Sequence, residues 1–119
     1  MTGDTITEQT QNLVQELRRG VIVLAVLSQL HTEQYGYSLM KCLEDQGMLV
    51  DQGTLYPLLR RMEEQGLLES NWRTDTSRPR RYYILSSFGG QVLSEMTVEW
   101  SRIKTTVDNL LDNEKENEK

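Results

Sequence analysis

The stretch DQGTLYPLLRRMEEQG, residues 51–66, decides how the rest of the chain is arranged. Its large apolar residues recur at helical spacing, which predicts an amphipathic helix with one buried face. These residues are Leu55, Leu58, Leu59 and Met62. The opposite face, at about 100° per residue, carries Gly53, Tyr56, Pro57, Arg60 and Glu64. A helix start of little bulk, followed by an aromatic ring and a guanidinium, suits close approach to phosphates and base edges. We predict a DNA recognition helix.

The boundaries of this helix have local signals. Asp51 is a good N-cap, and Gly66 is a typical residue for the end. Pro57 removes the backbone hydrogen bond to the Gly53 carbonyl and crowds that residue. Either the first turn is irregular, or the regular helix begins nearer Tyr56.

Two helices are predicted upstream. Apolar residues between Leu13 and Leu30 predict a long helix at about residues 11–30, and the run VIVLAVL (21–27) makes it apolar nearly all round. Such a helix must be covered on two sides, so we expect one side to pack against a second subunit. After a polar turn at residues 31–35, a short helix is predicted at 36–46, with Gly47 as its left-handed stop.

Downstream, strands are predicted at residues 67–72 and 80–85, around a polar tip at 73–79. Helix, turn, helix and β-hairpin follow each other in the order of a winged helix-turn-helix domain. The predicted fold is therefore mainly α with a small β-hairpin. Its DNA-binding domain spans residues 11–85, with the wing at about 67–85.

A last long helix is predicted at residues 86–111, capped by Ser86. Its apolar residues alternate steps of three and four, a heptad-like pattern for packing on another helix. They are Val92 or Leu93, Met96, Trp100, Ile103, Val107 and Leu110. We predict a C-terminal dimerisation helix. Residues 1–10 are polar without a period and are expected to be flexible, and the charged residues 112–119 are expected to be disordered.

Bulk composition excludes several classes of protein. The chain has 119 residues, enough for one domain. Hydrophobic content is 37 %, so a partner chain is expected to complete some apolar surface. No apolar run reaches the 18 residues of a membrane span, the N-terminus is not that of a signal peptide, and one cysteine cannot form an internal disulfide. A cytoplasmic protein without membrane association is predicted.

Charge is segregated along the chain. The net charge of −5 argues against DNA binding when taken alone. Residues 108–119 hold five acids and two lysines, a net charge of −3, whereas residues 72–83 hold four arginines and one aspartate, a net charge of +3. A local basic patch is what phosphate contact requires.

No catalytic or metal-binding pattern emerges. His31 is the only histidine and Cys42 the only cysteine, so neither metal-ligand spacing nor a nucleophile–base pair is present. A glycine-rich phosphate loop is absent as well. We predict no enzyme, no metal and no cofactor.

Several motifs, in order, resemble PadR-family transcriptional regulators. They are YGYSL (35–39), GTLYPLLRRME (53–63), GLL (66–68) and RPRRYYILS (78–86), followed by Gly89. The likeness runs from about Leu17 to Leu111, and the short length resembles the compact branch of that family. It implies a homodimeric repressor whose first and last helices form the dimer interface. The third helices would enter successive major grooves of a pseudo-palindromic operator, and the wings would contact the flanking backbone.

The segment EWSRI (99–103) resembles the multidrug-responsive members of the compact branch. The resemblance implies that Trp100 and its symmetry mate sandwich a flat aromatic effector in a pore at the dimer interface. Lys104 stands where those members carry an acid, which leaves neutral and anionic aromatics open beside cationic drugs. Residues expected to line this slot are Val14, Leu17, Val21, Met96, Thr97, Trp100 and Lys104. Alternatively, Trp100 is only interface core.

The predicted DNA contacts lie on two elements, the third helix and the wing. They are Tyr37, Gln52, Gly53, Thr54, Tyr56, Pro57, Arg60, Arg78, Arg80 and Arg81. Alternatives remain for three of them: Tyr37 packs in the core, Arg60 is solvated or salt-bridged, and Arg81 pairs across its strand. Trp72 is expected to pack at the base of the wing. The rival function is a winged-helix protein-interaction module that does not bind specific DNA.

Overall fold

The computed structural model describes residues 2–74 and 77–117. The helices are α1 (Thr2–Ser28), α2 (Gly36–Asp45), α3 (Gln52–Glu64) and α4 (Ser87–Asn117), and the strands are β1 (Gln34–Tyr35), β2 (Leu68–Arg73) and β3 (Arg80–Leu85). The strands form an antiparallel sheet in the order β1-β3-β2. The predicted fold class, mainly α with a small hairpin in a winged helix-turn-helix order, is confirmed.

The hydrophobic core lies where the C-terminal half of α1, α2, α3 and the sheet meet. Val26 and Leu27 at the end of α1, and Leu30 just after it, are fully buried, and so is Leu55 of α3. The predicted apolar face of α3 is confirmed, since all four of its residues are at most 5 % exposed. Burial of that face fixes which side of α3 remains open to solvent.

The ends of α2 and α3 follow their local signals. Gly47 has φ 94° and Gly66 has φ 82°, left-handed values that glycine adopts without steric cost. Each glycine lets the chain leave its helix in a tight turn. The helix α3 begins at Gln52 and contains Pro57, so the alternative of a start nearer Tyr56 is wrong.

Both termini differ from the prediction. Residues 2–10, expected to be flexible, continue α1 back to Thr2, and residues 112–117, expected to be disordered, continue α4 to Asn117. Extending an existing helix adds one hydrogen bond per residue without a new nucleus, and neither segment contains a proline. Residues 1, 118 and 119, and residues 75 and 76 of the predicted wing tip, lie outside the described residues.

The strand β1 was missed, because residues 31–35 are too few and too polar to show a period. Gln34 and Tyr35 pair with Tyr83 and Tyr82 of β3. This pairing attaches the segment before α2 to the wing, here defined as β2, β3 and the tip between them. Among the helices of the described residues, none has the length and apolar character needed to cross a membrane.

Candidate nucleic-acid interface

The N-terminus of α3 is fixed by its cap. The Asp51 carboxylate accepts a hydrogen bond from the Thr54 backbone N–H at 2.8 Å. Hydrogen bonds from the side chain and then the backbone of Thr54 hold the pKa of Asp51 below its ordinary value of 3.8. The cap predicted from the sequence is confirmed, and it orients the first turn of α3.

The outer face of α3 carries the predicted contact residues. Gln52, Gly53, Thr54, Pro57 and Arg60 are exposed. A Cβ added at Gly53 would meet only Asp51 Oδ1, at an ordinary 3.7 Å. Packing within the chain therefore does not require glycine at this position. Small size there has its effect on the solvent side, where it lets another molecule approach the helix backbone.

Tyr56 is half-buried because its ring packs over the first residue of α2. A Cβ added at Gly36 would lie 2.9 Å from Tyr56 Cζ, too close for any side chain to fit without movement of the ring. Tyr37, the next residue of α2, is 51 % exposed. Its core-packing alternative is therefore wrong, and its side chain is accessible beside Tyr56.

A cleft of about 610 Å³ separates α3 from the wing. Its wall includes seven of the ten residues predicted to contact DNA: Tyr37, Gln52, Tyr56, Arg60, Arg78, Arg80 and Arg81. Gly53, Thr54 and Pro57 lie on α3 outside that wall. The fold thus brings together aromatic and cationic side chains from elements that are up to 44 positions apart in the sequence, from Tyr37 to Arg81.

Arg81 is held by an internal network. Its Nη2 lies 2.6 Å from Glu63 Oε1, its Nε donates to Ser70 Oγ at 3.1 Å, and Ser70 Oγ donates to Glu63 Oε2 at 2.6 Å. This network, the helix–wing brace, links α3 to both long strands. Its geometry favours the alternative in which Arg81 pairs internally over its role as a phosphate contact.

The opposite face of the sheet holds two further arginines on aromatic rings. The guanidinium of Arg80 lies 4.6 Å from the centroid of Tyr35, and that of Arg73 lies 4.2 Å from the centroid of Tyr82. Arg73 also forms an ion pair with Glu33. These contacts orient Arg80 at the start of β3, where it also borders the cleft.

Sequence reasoning missed the brace and the arginine–tyrosine contacts. Glu63 and Arg81 are 18 residues apart, and Glu33 and Arg73 are 40 apart, so no helical or strand period connects either pair. One signal was present: four arginines in a short stretch require anionic partners, and Glu63 and Glu33 supply two of them. The expectation for Trp72 is wrong, since its side chain is 64 % exposed and borders the cleft.

The predicted effector residues lie on α1 and α4, which contact each other. Val14, Leu17, Thr97, Trp100 and Lys104 are exposed, whereas Val21 and Met96 are half-buried. Trp100 is 39 % exposed. A slot between two copies of Trp100 involves a second chain, so the effector site stays a prediction.

Cys42 is half-buried and its Sγ lies 3.2 Å from Gln29 Oε1. Within residues 2–74 and 77–117, histidine, cysteine and acidic side chains form no group of three able to hold a metal ion.

Comparison with known proteins decides the family. The model of the Transcriptional regulator PadR-like family matches residues 23–95, more than half of the chain. That range contains the whole cleft between α3 and the wing. The chain belongs to the PadR-like family. The resemblance to PadR-family regulators found in the sequence is confirmed at the level of the family, which consists of DNA-binding transcriptional regulators, not enzymes.

Individual relatives agree in sequence and in structure. The Transcriptional regulator Rv3488 of Mycobacterium tuberculosis is 36 % identical over 83 residues, which cover 69 % of this chain and 78 % of that protein. The crystal structure of a PadR family transcriptional regulator from Eggerthella lenta superposes with a TM-score of 0.85 at 43 % identity, covering 92 % of this chain and 97 % of the other. A PadR-like transcriptional regulator of Bacillus cereus gives a TM-score of 0.72 at 33 % identity, covering 81 % and 96 %.

Proposed function

We propose that this PadR-family regulator is a cytoplasmic homodimeric repressor that binds a pseudo-palindromic operator and releases it when an aromatic small molecule binds at the dimer interface. The observation that carries the DNA-binding part is the cleft between α3 and the wing. There, Tyr56 and Arg60 of α3 and Arg78 and Arg80 of the wing border a common space of about 610 Å³. Family membership favours this function over a protein-interaction module.

The roles of the two walls differ. Side chains on the outer face of α3 supply base contacts, since a helix of this size enters a major groove. Thr54, Tyr56 and Arg60 are the proposed readers, and Gly53 permits close approach. Arg78 and Arg80 at the wing bind phosphates, which position the protein without reading sequence. Arg81 is left out because it belongs to the helix–wing brace.

Dimerisation is supported by apolar side chains that the chain itself leaves uncovered. The apolar stripe, defined here as the exposed large apolar residues of α1 and of α4 from Val98 onward, is 39–73 % exposed. It consists of Leu13, Val14, Leu17, Val98, Trp100, Ile103, Val107, Leu110 and Leu111. Nine such side chains on two contacting helices form more apolar surface than isolated exposed residues would, which is typical of a subunit interface. Two copies joined there would present two α3 helices to half-sites about one helical turn apart.

Effector control is supported by the position of Trp100 within that stripe. Its indole is partly exposed, and the cationic Lys104 lies one helical turn further on. A flat aromatic ring between two indoles would bury large apolar faces at little conformational cost. Lys104 favours a neutral or anionic compound, such as a phenolic acid, over a cation. An effector acts if it binds one spacing of the two DNA-binding domains better than the other.

The first experiment selects bound fragments from genomic DNA and measures affinity for a recovered duplex over a range of salt concentrations. Binding is expected to weaken steeply, with a slope of about −0.9 per phosphate neutralised. Replacing Tyr56 and Arg60 together by alanine is expected to abolish specific binding while light scattering still shows a dimer. Retained affinity in that double variant would disprove the role of α3, and a flat salt response would favour the protein-interaction alternative.

The effector part is tested by titrating neutral, anionic and cationic flat aromatics while following tryptophan emission. Quenching is expected in the wild type and in Trp72→Phe, and it is expected to disappear in Trp100→Phe. A panel that gives no quenching dependent on Trp100 would leave this residue as interface core and remove the effector from the proposal.

A further inference from the structure

Trp72 occupies an unusual position on the wing. Side chains alternate along a strand, so Trp72 shares a face of β2 with Ser70. Ser70 donates a hydrogen bond to Glu63 on α3, which shows that this face of β2 is directed toward α3. The same face buries Leu68, the first residue of β2, which is 3 % exposed. Trp72, by contrast, is 64 % exposed.

The indole therefore extends past the end of the core into the cleft. Its cross-strand neighbour is Arg81, whose guanidinium is held by Glu63. Arg60 of α3 and Arg78 and Arg80 of the wing border the same cleft. A single exposed tryptophan does not by itself indicate a binding site. An exposed tryptophan that borders the same space as Arg60 and Arg78, between a recognition helix and a wing, lies where a nucleic-acid strand would pass.

We propose that Trp72 is a DNA-contact residue that packs its indole against a deoxyribose of the strand occupying the cleft. The inference rests on the proposed DNA-binding function. A sugar–phosphate strand alternates anionic phosphates with apolar sugar faces. Arginine side chains bind the phosphates, and an aromatic ring packs against the sugar. Because bases in a duplex are stacked inside, a side chain on the wall of the cleft meets the sugar first, so this contact positions the protein and does not read sequence.

This chemistry predicts a distinctive salt response. An uncharged ring neutralises no phosphate, so its removal is expected to weaken binding equally at every salt concentration. Trp72→Ala is expected to lower affinity for a duplex recovered by the genomic selection about tenfold, the loss of a well-placed aromatic contact. The slope of affinity against salt stays that of the wild type. The matched control, Arg80→Ala, is expected to reduce the magnitude of that slope by about 0.9.

Two further measurements separate contact from a merely structural role. Trp72→Phe keeps an aromatic face and is expected to recover most of the affinity, and both Trp72 variants are expected to unfold at the wild-type temperature because the ring is mainly exposed. Adding the duplex is expected to change tryptophan emission in the wild type more than in Trp72→Phe, because DNA removes the Trp72 indole from water.

The possible results separate failure of the Trp72 contact from failure of the proposed DNA-binding function. Wild-type affinity in Trp72→Ala, with binding abolished in the Tyr56 and Arg60 double variant, would overturn the role of Trp72 and leave DNA binding by α3 intact. A reduced salt slope in Trp72→Ala would also overturn it, since the indole would then act by placing an arginine. Absence of any duplex binding by the wild type would instead overturn the proposed function.

Discussion

The DNA-facing region and the apolar stripe differ in how far one chain completes them. Around α3, the apolar face is buried, the cap is formed and the carboxylate of Glu63 joins helix to wing through Arg81 and Ser70. Along α1 and α4, large apolar side chains remain exposed, up to 73 % at Leu17. The first region is a finished structural unit. In the second, the proposed dimer would cover the apolar side chains that one chain leaves exposed.

Because of this difference, the stability of the DNA-binding unit and the association of two chains should respond to different substitutions. Changes in the stripe should alter association and leave the fold of the unit intact, whereas changes around α3 should alter the unit itself. Substitutions in each of the two regions test that separation.

The largest effect is expected from placing charge in the stripe. Leu17→Glu combined with Ile103→Glu should convert the dimer to a monomer, because burying two carboxylates per chain opposes association. Loss of bivalent binding should then lower operator affinity by about a hundredfold or more. Light scattering and a DNA titration measure the two effects, and circular dichroism should still show a helical chain.

The control for that variant adds the same charges off the stripe. Gln15→Glu and Gln91→Glu lie at exposed positions of the same two helices. This control should remain dimeric. If both double variants stayed dimeric, the stripe would not be the subunit interface, and the contrast between the two regions would lose its basis.

Alanine substitutions at two glycines near α3 should have opposite effects on stability. Gly36→Ala forces the Tyr56 ring to move, so it should destabilise the chain by about 1–2 kcal/mol and displace a DNA contact. Gly53→Ala has room for its Cβ and should leave stability unchanged or raise it by about 0.4–1 kcal/mol. Both should weaken DNA binding. Denaturant unfolding at one protein concentration, beside a DNA titration, checks the pair.

Two results would contradict the prediction for Gly53→Ala. If Gly53→Ala bound DNA with wild-type affinity, the backbone at the start of α3 would not approach DNA closely. Destabilisation by Gly53→Ala would mean that the glycine is needed for the fold and has no bearing on recognition.

A smaller effect is expected from the helix–wing brace. Glu63→Gln keeps the shape but removes the charge that holds Arg81, so it should cost about 1 kcal/mol for this partly exposed pair. Once the pair is broken, Arg81→Gln should cost little more. Unfolding of both single variants and the double variant gives the coupling energy. Fully additive losses would show that the two side chains do not stabilise the chain jointly.

The smallest effect is expected at the cap of α3. Hydrogen bonds from Thr54 lower the pKa of Asp51 in the folded chain, so its contribution to stability is present above the unfolded value and is lost as pH falls through the folded one. Asp51→Asn keeps a capping oxygen without this titration. The variant should therefore lose less stability than the wild type on acidification below about pH 4. Thermal unfolding at several pH values measures the difference, and parallel curves would contradict it.

Much of the fold followed from local patterns. The face of α3 was set by apolar spacing, its start by Asp51 and its end by Gly66, because these features act within one or two helical turns. The ends of α1 and α4 were predicted less well. Residues 2–10 and 112–117 have no apolar period, and their helicity comes from extension of a neighbouring helix, which a periodic pattern does not reveal.

The candidate site was predicted in its parts and not in its connections. The guanidinium groups at residues 78, 80 and 81 look alike in sequence, yet Arg81 is bound by Glu63 and Arg80 lies on Tyr35. Trp72 was expected to pack at the base of the wing. On the face of β2 that is directed toward α3, Leu68 at the start of the strand is buried. Trp72 is four residues further along the same face, beyond the part of the strand that α3 covers, and is exposed.

Neighbouring residues are enough to predict the order of elements, the buried face of α3, the family and the side chains offered for DNA contact, because these depend on spacing, caps and motifs. Tertiary packing is needed to establish which arginines are already bound, that Tyr56 needs a glycine at position 36, and that Trp72 borders the cleft. Each of these depends on residues between 9 and 45 positions apart that meet only in the folded chain, and no local pattern records their contact.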